Sequence, residues 1–281
     1  MNTATTSPDS THLGSHREDG VAELLQITDT HLFADAGTEL LGIATFDSCR
    51  AVVEAIREDA EPKDAILATG DLSQDHSPES YRRFTGLMAT LAPPVYWLPG
   101  NHDDAPVMQA ELDAAGISNA KHLLLAHWQI LLLDTQVRGK AHGELAEAQL
   151  ALLDEVIRRY PRHHLLVAVH HQAVPVGCAW LDQHNLRNAE AFRQRLSRHQ
   201  ASRAVLFGHV HQGFDEVHDG VRYLASPSTC IQFKPLSDDF ALDTTAPGWR
   251  ALSLYPDGRL STRVWRLPPD AFVPDFSATG Y

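Results

Sequence analysis

Val95-Tyr96-Trp97-Leu98-Pro99-Gly100-Asn101-His102-Asp103-Asp104 is the stretch that decides how this chain is read. The apolar run Val95 to Leu98 forms a buried strand, and Pro99-Gly100 turns the chain sharply at its end. A turn there delivers Asn101 and His102 into a crevice, where parallel α/β sheets place their ligands. Asn101 offers a neutral carbonyl oxygen. His102 offers a ring that binds a metal or passes a proton near neutral pH. Taken alone, the stretch is equally well a polar turn, because Asn and Asp are common in turns.

The same pattern recurs along the chain. Val21 to Thr28 reads as a strand that ends in Thr28-Asp29-Thr30-His31. Residues two apart in extended chain point to one side, so Asp29 and His31 can meet a single ion. Ala65 to Thr69 is a second buried strand and runs into Gly70-Asp71, where the glycine lets backbones approach closely. Leu165 to Val169 delivers His170-His171, and Ala204 to Phe207 delivers Gly208-His209-Val210-His211. Amphipathic helices lie between these strands: Ala44 to Glu58, Ser77 to Leu91 with Ser77 as N-cap before Pro78, Pro106 to Ala115, Glu144 to Arg159, and Asn188 to His199. Leu123 to Ala126 and Gln129 to Leu133 read as strands, with Asp134 as a turn residue. Val221 to Ala225, Trp249 to Tyr255 and Thr262 to Trp265 alternate as antiparallel strands do, and Asp257-Gly258 makes a hairpin turn between the last two. Strands alternating with helices in this way specify an α/β protein.

The totals narrow the class. A chain of 281 residues with 43% hydrophobic and 21% charged residues has the composition of a globular domain. No run of about 18 apolar residues is present, so no membrane partner is expected. A net charge of −13 repels nucleic acid and anionic membranes. The three cysteines, Cys49, Cys178 and Cys230, have no metal or redox spacing and suit a reducing cytoplasm. Met1 to Gly20 is polar and reads as a disordered tail, 21–267 as the domain, and 268–281 as an extended tail.

Five apolar strands that each end in metal-capable residues are hard to obtain from turn chemistry alone. Asp29, His31, Asp71, Asn101, His102, His170, His209 and His211 offer oxygen and imidazole without thiolate, which selects iron, manganese, zinc or similar ions. The first-shell groups are too many for one ion and suit two ions sharing a carboxylate, as in phosphoester hydrolases.

Asp29-x-His31, Gly70-Asp71, Gly100-Asn101-His102-Asp103, His170 and Gly208-His209-x-His211 together resemble the calcineurin-like metallophosphoesterases. Gly177-Cys178-x-Trp180-Leu181-Asp182-Gln183-His184, Leu186-Arg187-Asn188-Ala189, Pro227-Ser228-Thr229-Cys230-x-Gln232-Phe233-Lys234-Pro235 and Ala246-Pro247-Gly248-Trp249-Arg250 are similar to the bacterial 3′,5′-cyclic-AMP phosphodiesterases of that superfamily, the class III cyclic nucleotide phosphodiesterases. The resemblance implies a four-layer α-β-β-α sandwich of two mixed sheets with a dinuclear metal site at the strand C-terminal ends. It implies one ion on Asp29, His31 and His211, a second on Asn101, His170 and His209, and Asp71 bridging both. Iron and manganese are the favoured ions. His102 and Asp71 become the catalytic residues, and His31, Asp71, Asn101, His102, His170 and His211 face the substrate. The substrate implied is the small nucleotide cyclic AMP, cut to 5′-AMP in the cytoplasm by a monomer or homodimer. Other phosphodiesters or phosphomonoesters, such as 2′,3′-cyclic nucleotides and glycerophosphodiesters, and a non-catalytic scaffold are the rival readings. The segment Gly177 to Asn188 is expected to line the nucleotide pocket, with Trp180 or His184 near the base. His171 is read either as supporting the site from nearby or, in preference, as a satisfied core histidine. Gln172 stands where the family pattern has Pro, which implies a differently shaped loop.

Overall fold

The computed structural model describes residues 10–59, 61–278 and 280. In chain order its elements are β1 (Ser10–His12), β2 (Ala22–Ile27), β3 (Glu39–Leu40), β4 (Ile43–Ala44), α1 (Thr45–Glu58), β5 (Ala65–Ala68), α2 (Pro78–Met88), β6 (Val95–Trp97), α3 (Ala105–Ala114), β7 (His122–Leu124), β8 (Trp128–Leu132), α4 (Glu147–Arg159), β9 (His164–Ala168), α5 (Ala179–Asp182), α6 (Ala189–Arg198), β10 (Ser202–Phe207), β11 (Phe214–His218), β12 (Val221–Ala225), β13 (Gly248–Leu254) and β14 (Leu260–Arg266). Helix α2 begins as its sequence specifies, with the Ser77 hydroxyl accepting from the Ser80 N–H and Pro78 in the first turn.

Two mixed sheets carry the fold. One has the order β14-β13-β2-β5-β6, and the other has the order β1-β7-β8-β9-β10-β12-β11. Strands β2, β5 and β6 are mutually parallel, as are β8, β9, β10 and β12, so their C-terminal ends open toward the same side within each sheet. Alternate residues of each strand enter different seams. Leu24, Leu67, Ile130, Leu166 and Leu206 pack between the two sheets. Leu25, Ile27 and Ile66 instead meet Val52 of α1, Phe84 of α2 and Leu112 of α3. Leu131, Val167 and Val205 meet Leu153 of α4 and Phe192 of α6. Three seams between four layers make the α-β-β-α sandwich. Every such buried aliphatic contributes about 1.5–3 kcal/mol. The period-two strands and the amphipathic helices therefore explain one another.

Like its cross-strand neighbour Arg250, Gln26 is a polar exception between the sheets. Its amide donates to Thr69 Oγ1 at 2.8 Å and to the Phe207 carbonyl at 2.9 Å, and its own oxygen accepts from the Ser226 hydroxyl. It ties the ends of β2, β5 and β10 together next to the residues that follow them.

The expected N-terminal tail is corrected over residues 10–20, and residues 1–9 lie outside the described residues. Ser10–His12 adds a parallel strand beside β7, and the Leu13 N–H donates to the Leu124 carbonyl at 2.8 Å. His16 is fixed as well, with its backbone N and its Nδ1 each 2.8 Å from Asp64 Oδ1. An exposed β7 edge offered backbone partners that composition alone does not reveal. The C-terminal stretch is extended but docked. The Asp275 N–H donates to the Leu41 carbonyl at 2.8 Å, and Phe272 packs against both helix-side cores.

Candidate metal centre

Five loops leaving β2, β5, β6, β9 and β10 converge. Asp29, His31, Asp71, His209 and His211 all sit in the left-handed region, with φ of 55°, 46°, 52°, 66° and 50°. Such a conformation costs on the order of 1 kcal/mol for a residue with a Cβ, although Asp, Asn and His enter it more readily than most. In the loops after β2, β5 and β10 it lets the chain reverse direction two to four residues past the strand and aim a donor inward.

The glycines of the three motifs have a common purpose. A Cβ on Gly100 would lie 2.1 Å from Asp71 Oδ1. One on Gly70 would lie 2.6 Å from His170 Nδ1, and one on Gly208 2.8 Å from Asp29 Oδ2. Each glycine leaves room for a donor delivered by a different strand. Backbone bonds lock the same loops together. The Asp29 N–H donates to the Gly70 carbonyl, the His31 N–H to the Asp71 carbonyl and the Gly208 N–H to the His170 carbonyl, at 3.0, 3.0 and 3.1 Å. Asp71 Oδ1 accepts from the His102 N–H at 2.7 Å, and the Asp29 carboxylate accepts from the His209 N–H at 3.1 Å.

Inside this frame the donors meet. Ligand atoms of Asp29, His31 and His211 lie within 4.8 Å of one another, as do those of Asp29, Asp71 and His170. Asp71 Oδ2 is 3.2 Å from His170 Nε2 and 4.0 Å from His31 Nε2. Asn101 Oδ1 is 3.1 Å from His170 Nε2, and His211 Nε2 is 3.4 Å from Asp29 Oδ1. His31 Nε2 and His211 Nε2 face each other at 3.2 Å.

The tautomers show what this arrangement suits. His31 Nδ1 meets Gln74 Oε1 at 2.7 Å, His170 Nδ1 meets the Thr69 carbonyl at 2.8 Å, and His211 Nδ1 meets the Ile231 carbonyl at 2.9 Å. A carbonyl oxygen only accepts, so the proton belongs on Nδ1 and each Nε2 presents a lone pair inward. Lone pairs of His31 and His211 aimed at each other, beside two buried carboxylates, fit a cation. The donor set of oxygen and imidazole therefore fits a pair of metal ions.

Electrostatics agree. Burial pushes Asp71 up, but the His170, His102 and His31 rings outweigh it and hold the carboxyl well below its usual range. Asp29 is also lowered, with His211 outweighing burial. Burial lowers His170, yet the Asp71 and Asp29 charges overcome it and raise that imidazole to about 9. Burial dominates at His31, which falls to about 3, and at His209 and His102, which also fall. The carboxylates stay ionised and most of the imidazoles stay neutral, the forms that ligate metals.

A cavity of about 300 Å³ adjoins the cluster. Asp71, Asn101, His102 and His209 form its floor, Trp180, Leu181, His184 and Phe233 one wall, and Gly139-Lys140-Ala141 the other. Trp180, Leu181 and His184 of the Gly177–Asn188 segment line this cavity. Trp180 also meets Phe233 edge-on at 4.9 Å, and Phe233 stacks on His211 at 4.3 Å. Gln172 is tied into its loop: its amide donates to the Leu181 carbonyl at 3.0 Å, and its backbone carbonyl accepts from the Leu186 N–H. His171 departs from the reading of a satisfied core histidine, because its Nε2 is shielded from solvent and has no hydrogen-bond partner among the described residues.

Residue-by-residue reading missed three contributors. Gln74 orients His31 from one turn past Asp71. Asp103 accepts from the Leu72, Ser73 and Gly100 N–H groups and from the Tyr81 hydroxyl, clamping the loop of Asp71 to the loop of Asn101. Burial and the Asp71 charge push its carboxyl up to about 7. Lys140 reaches the cavity from the loop after β8, and the only signal for it was that this loop also leaves the end of a parallel strand.

The model of the calcineurin-like phosphoesterases matches residues 22–213. The chain belongs to the calcineurin-like phosphoesterase family. Within that family, the 3′,5′-cyclic adenosine monophosphate phosphodiesterase CpdA of Vibrio vulnificus is 48% identical over 260 residues, 92% of this chain and 95% of that protein. The protein of the same name from Escherichia coli K12 is 49% identical over 259 residues, 92% of this chain and 94% of that protein. A solved dimetal phosphatase from Danio rerio shares the fold, with a TM-score of 0.58 at 16% identity over 84% of this chain and 96% of that chain.

Proposed function

We propose that this phosphoesterase hydrolyses 3′,5′-cyclic AMP to 5′-AMP and so lowers cyclic-AMP signalling in the cytoplasm. The observation that carries the reading is the continuity of the cavity. Metal-capable Asp71, Asn101 and His209 and the His102 side chain share one space with Trp180, Leu181 and Phe233, which suit a purine. The relatives named for cyclic AMP match nearly the whole chain and support the same substrate.

Asp29, His31 and His211 would hold one ion, Asn101, His170 and His209 the other, and Asp71 both, with iron or manganese the expected ions. When bound, a pair of divalent ions supplies Lewis-acid charge to the phosphoryl oxygens and lowers the pKa of water. The chain's own residues do the rest. Asp29 and Asp71 stay ionised and, between the loops that grip them, fix the spacing of the site. His102 is held over the cavity floor by its backbone bond to Asp71. Burial lowers its pKa against the opposing Asp71 charge, so in its protonated form the ring is a stronger acid toward the oxygen that departs. As water's oxygen bonds to phosphorus and the bond from phosphorus to the 3′ oxygen breaks, the protonated His102 ring gives that oxygen its proton, and the proton shed by the water restores the ring. Trp180, Leu181 and Phe233 shield the base from water.

The unit carrying this activity is taken as 21–267, with the strand Ser10–His12 added to the edge of its larger sheet. Three buried free cysteines fit a reducing compartment, and no helix among the described residues is long and apolar enough to cross a membrane. Chromatography of the products from cyclic AMP with added Mn²⁺ or Fe²⁺ tests the reading. A 5′-AMP peak is expected. Turnover of 2′,3′-cyclic AMP or of phosphomonoesters with none of 3′,5′-cyclic AMP would overturn it.

A further inference from the structure

The imidazoles of the cluster are not held alike. His31, His170 and His211 each have Nδ1 fixed by a carbonyl oxygen. His209 differs: its Nε2 is shielded from solvent and meets no partner among the described residues. The ring beside it is His171, with centroids 4.8 Å apart and planes tilted by 47°. His171 Nε2 is equally shielded and equally unpartnered. The other nitrogen of His171, Nδ1, lies 2.8 Å from Thr135 Oγ1, a hydroxyl oxygen able to accept. With its proton on Nδ1, toward that oxygen, His171 leaves Nε2 bare.

The two orphans are complementary. A histidine that gives one nitrogen's lone pair to a cation carries its proton on the other. His171 Nε2 needs a proton, and His209 has one to give. We propose that His171 is the positioning residue for His209, its Nε2 accepting the His209 Nε2–H. It does for His209 what Gln74, Thr69 and Ile231 do for the other three rings. The chain of contacts then runs outward from His171 to Thr135. His171 is pressed into place from that side, since a Cβ on Gly143 would lie 2.4 Å from its Nδ1 and 2.5 Å from its Cγ. The inference rests on reading His209 as a ligand.

Calorimetric titration of the metal-free protein with Mn²⁺ tests it without reference to turnover. The wild type is expected to bind two ions. His171→Leu removes the acceptor and should weaken one of them by about 10- to 100-fold while leaving the other unchanged. His171→Gln restores a carbonyl acceptor of similar reach and should recover most of that loss. Gly143→Ala pushes the ring from outside the cluster and should weaken the same ion, which keeps the test available should His171→Leu fail to fold. Wild-type affinities at both ions in His171→Leu, or equal losses in the Leu and Gln variants, overturn the role of His171 and leave the metal reading standing. Binding of no Mn²⁺ by the wild type overturns both.

Discussion

Gly100→Ala is the sharpest perturbation of the centre that touches no donor. The residue has no left-handed φ, so alanine meets no conformational barrier there. The cost is steric. The new methyl lies 2.1 Å from Asp71 Oδ1 and 2.5 Å from the Asp71 N, whereas ordinary contact begins at 3.4 Å. The carboxylate or the loop must yield by about 1.3 Å. Overpacking of this kind costs about 1–3 kcal/mol of stability. Misplacing a group by about 1 Å costs on the order of 10²-fold in rate. Asp71 also holds the His102 N–H, so the variant disturbs ligand and proton donor together. Cyclic-AMP turnover at saturating metal should fall by about 10²-fold or more, and metal content should fall with it. Circular dichroism would verify that the fold persists. Wild-type turnover with full metal content would refute the reasoning, since it would mean that the loops of β5 and β6 do not need their close approach.

Three further outcomes follow from the same geometry. His102→Ala should lower cyclic-AMP turnover by about 10²- to 10⁴-fold but leave a phosphodiester with a nitrophenolate leaving group nearly unchanged; equal losses on both would refute proton donation. Stripping metal with a chelator should abolish turnover reversibly and lower thermal stability, by about 2.7 kcal/mol relative to an ion supplied at a hundred times its Kd; an unchanged melting temperature would count against ions bound by this buried set. Lys121 lies against the Trp97 ring with its ammonium 3.5 Å from the centroid, and burial lowers its pKa from 10.5 to about 7. Between those values the unfolded chain holds a proton that the folded chain has shed, so this group's contribution to stability rises with pH there and is flat below about 7. The stability of wild type relative to Lys121→Met should accordingly climb from about pH 7 to pH 10, and a constant difference would refute it.

Much of this was legible in the sequence, for physical reasons. Short apolar runs marked β2, β5, β9 and β10, buried nearly throughout, and each ended in a short polar motif whose residue types announce metal chemistry. The glycine before Asp71, Asn101 and His209 was visible too, although its clash partners, on other strands, were not. Residues that act through backbone groups or through one contact across a loop were hidden: Gln74 on His31, Asp103 on three N–H groups, Lys140 at the cavity wall. Their side chains carry no periodic signal, and their partners are set by tertiary approach. Strand β11 escaped because Asp215, Glu216 and Val217 face solvent at the sheet edge, so no burial pattern marks it. Helix α4 starts at Glu147, not Glu144, because Leu145 is held outside it by Asn188, whose side chain accepts from the Leu145 N–H and donates to its carbonyl. The β1 strand exists only because β7 offers an edge for it.

Anomalous diffraction from crystals grown with Mn²⁺ addresses the centre itself. Two peaks are expected, one among Asp29, His31 and His211 and one among Asn101, His170 and His209, each within bonding reach of Asp71. A single peak, or peaks away from Asp71, would contradict the shared-carboxylate site on which the proposed hydrolysis depends.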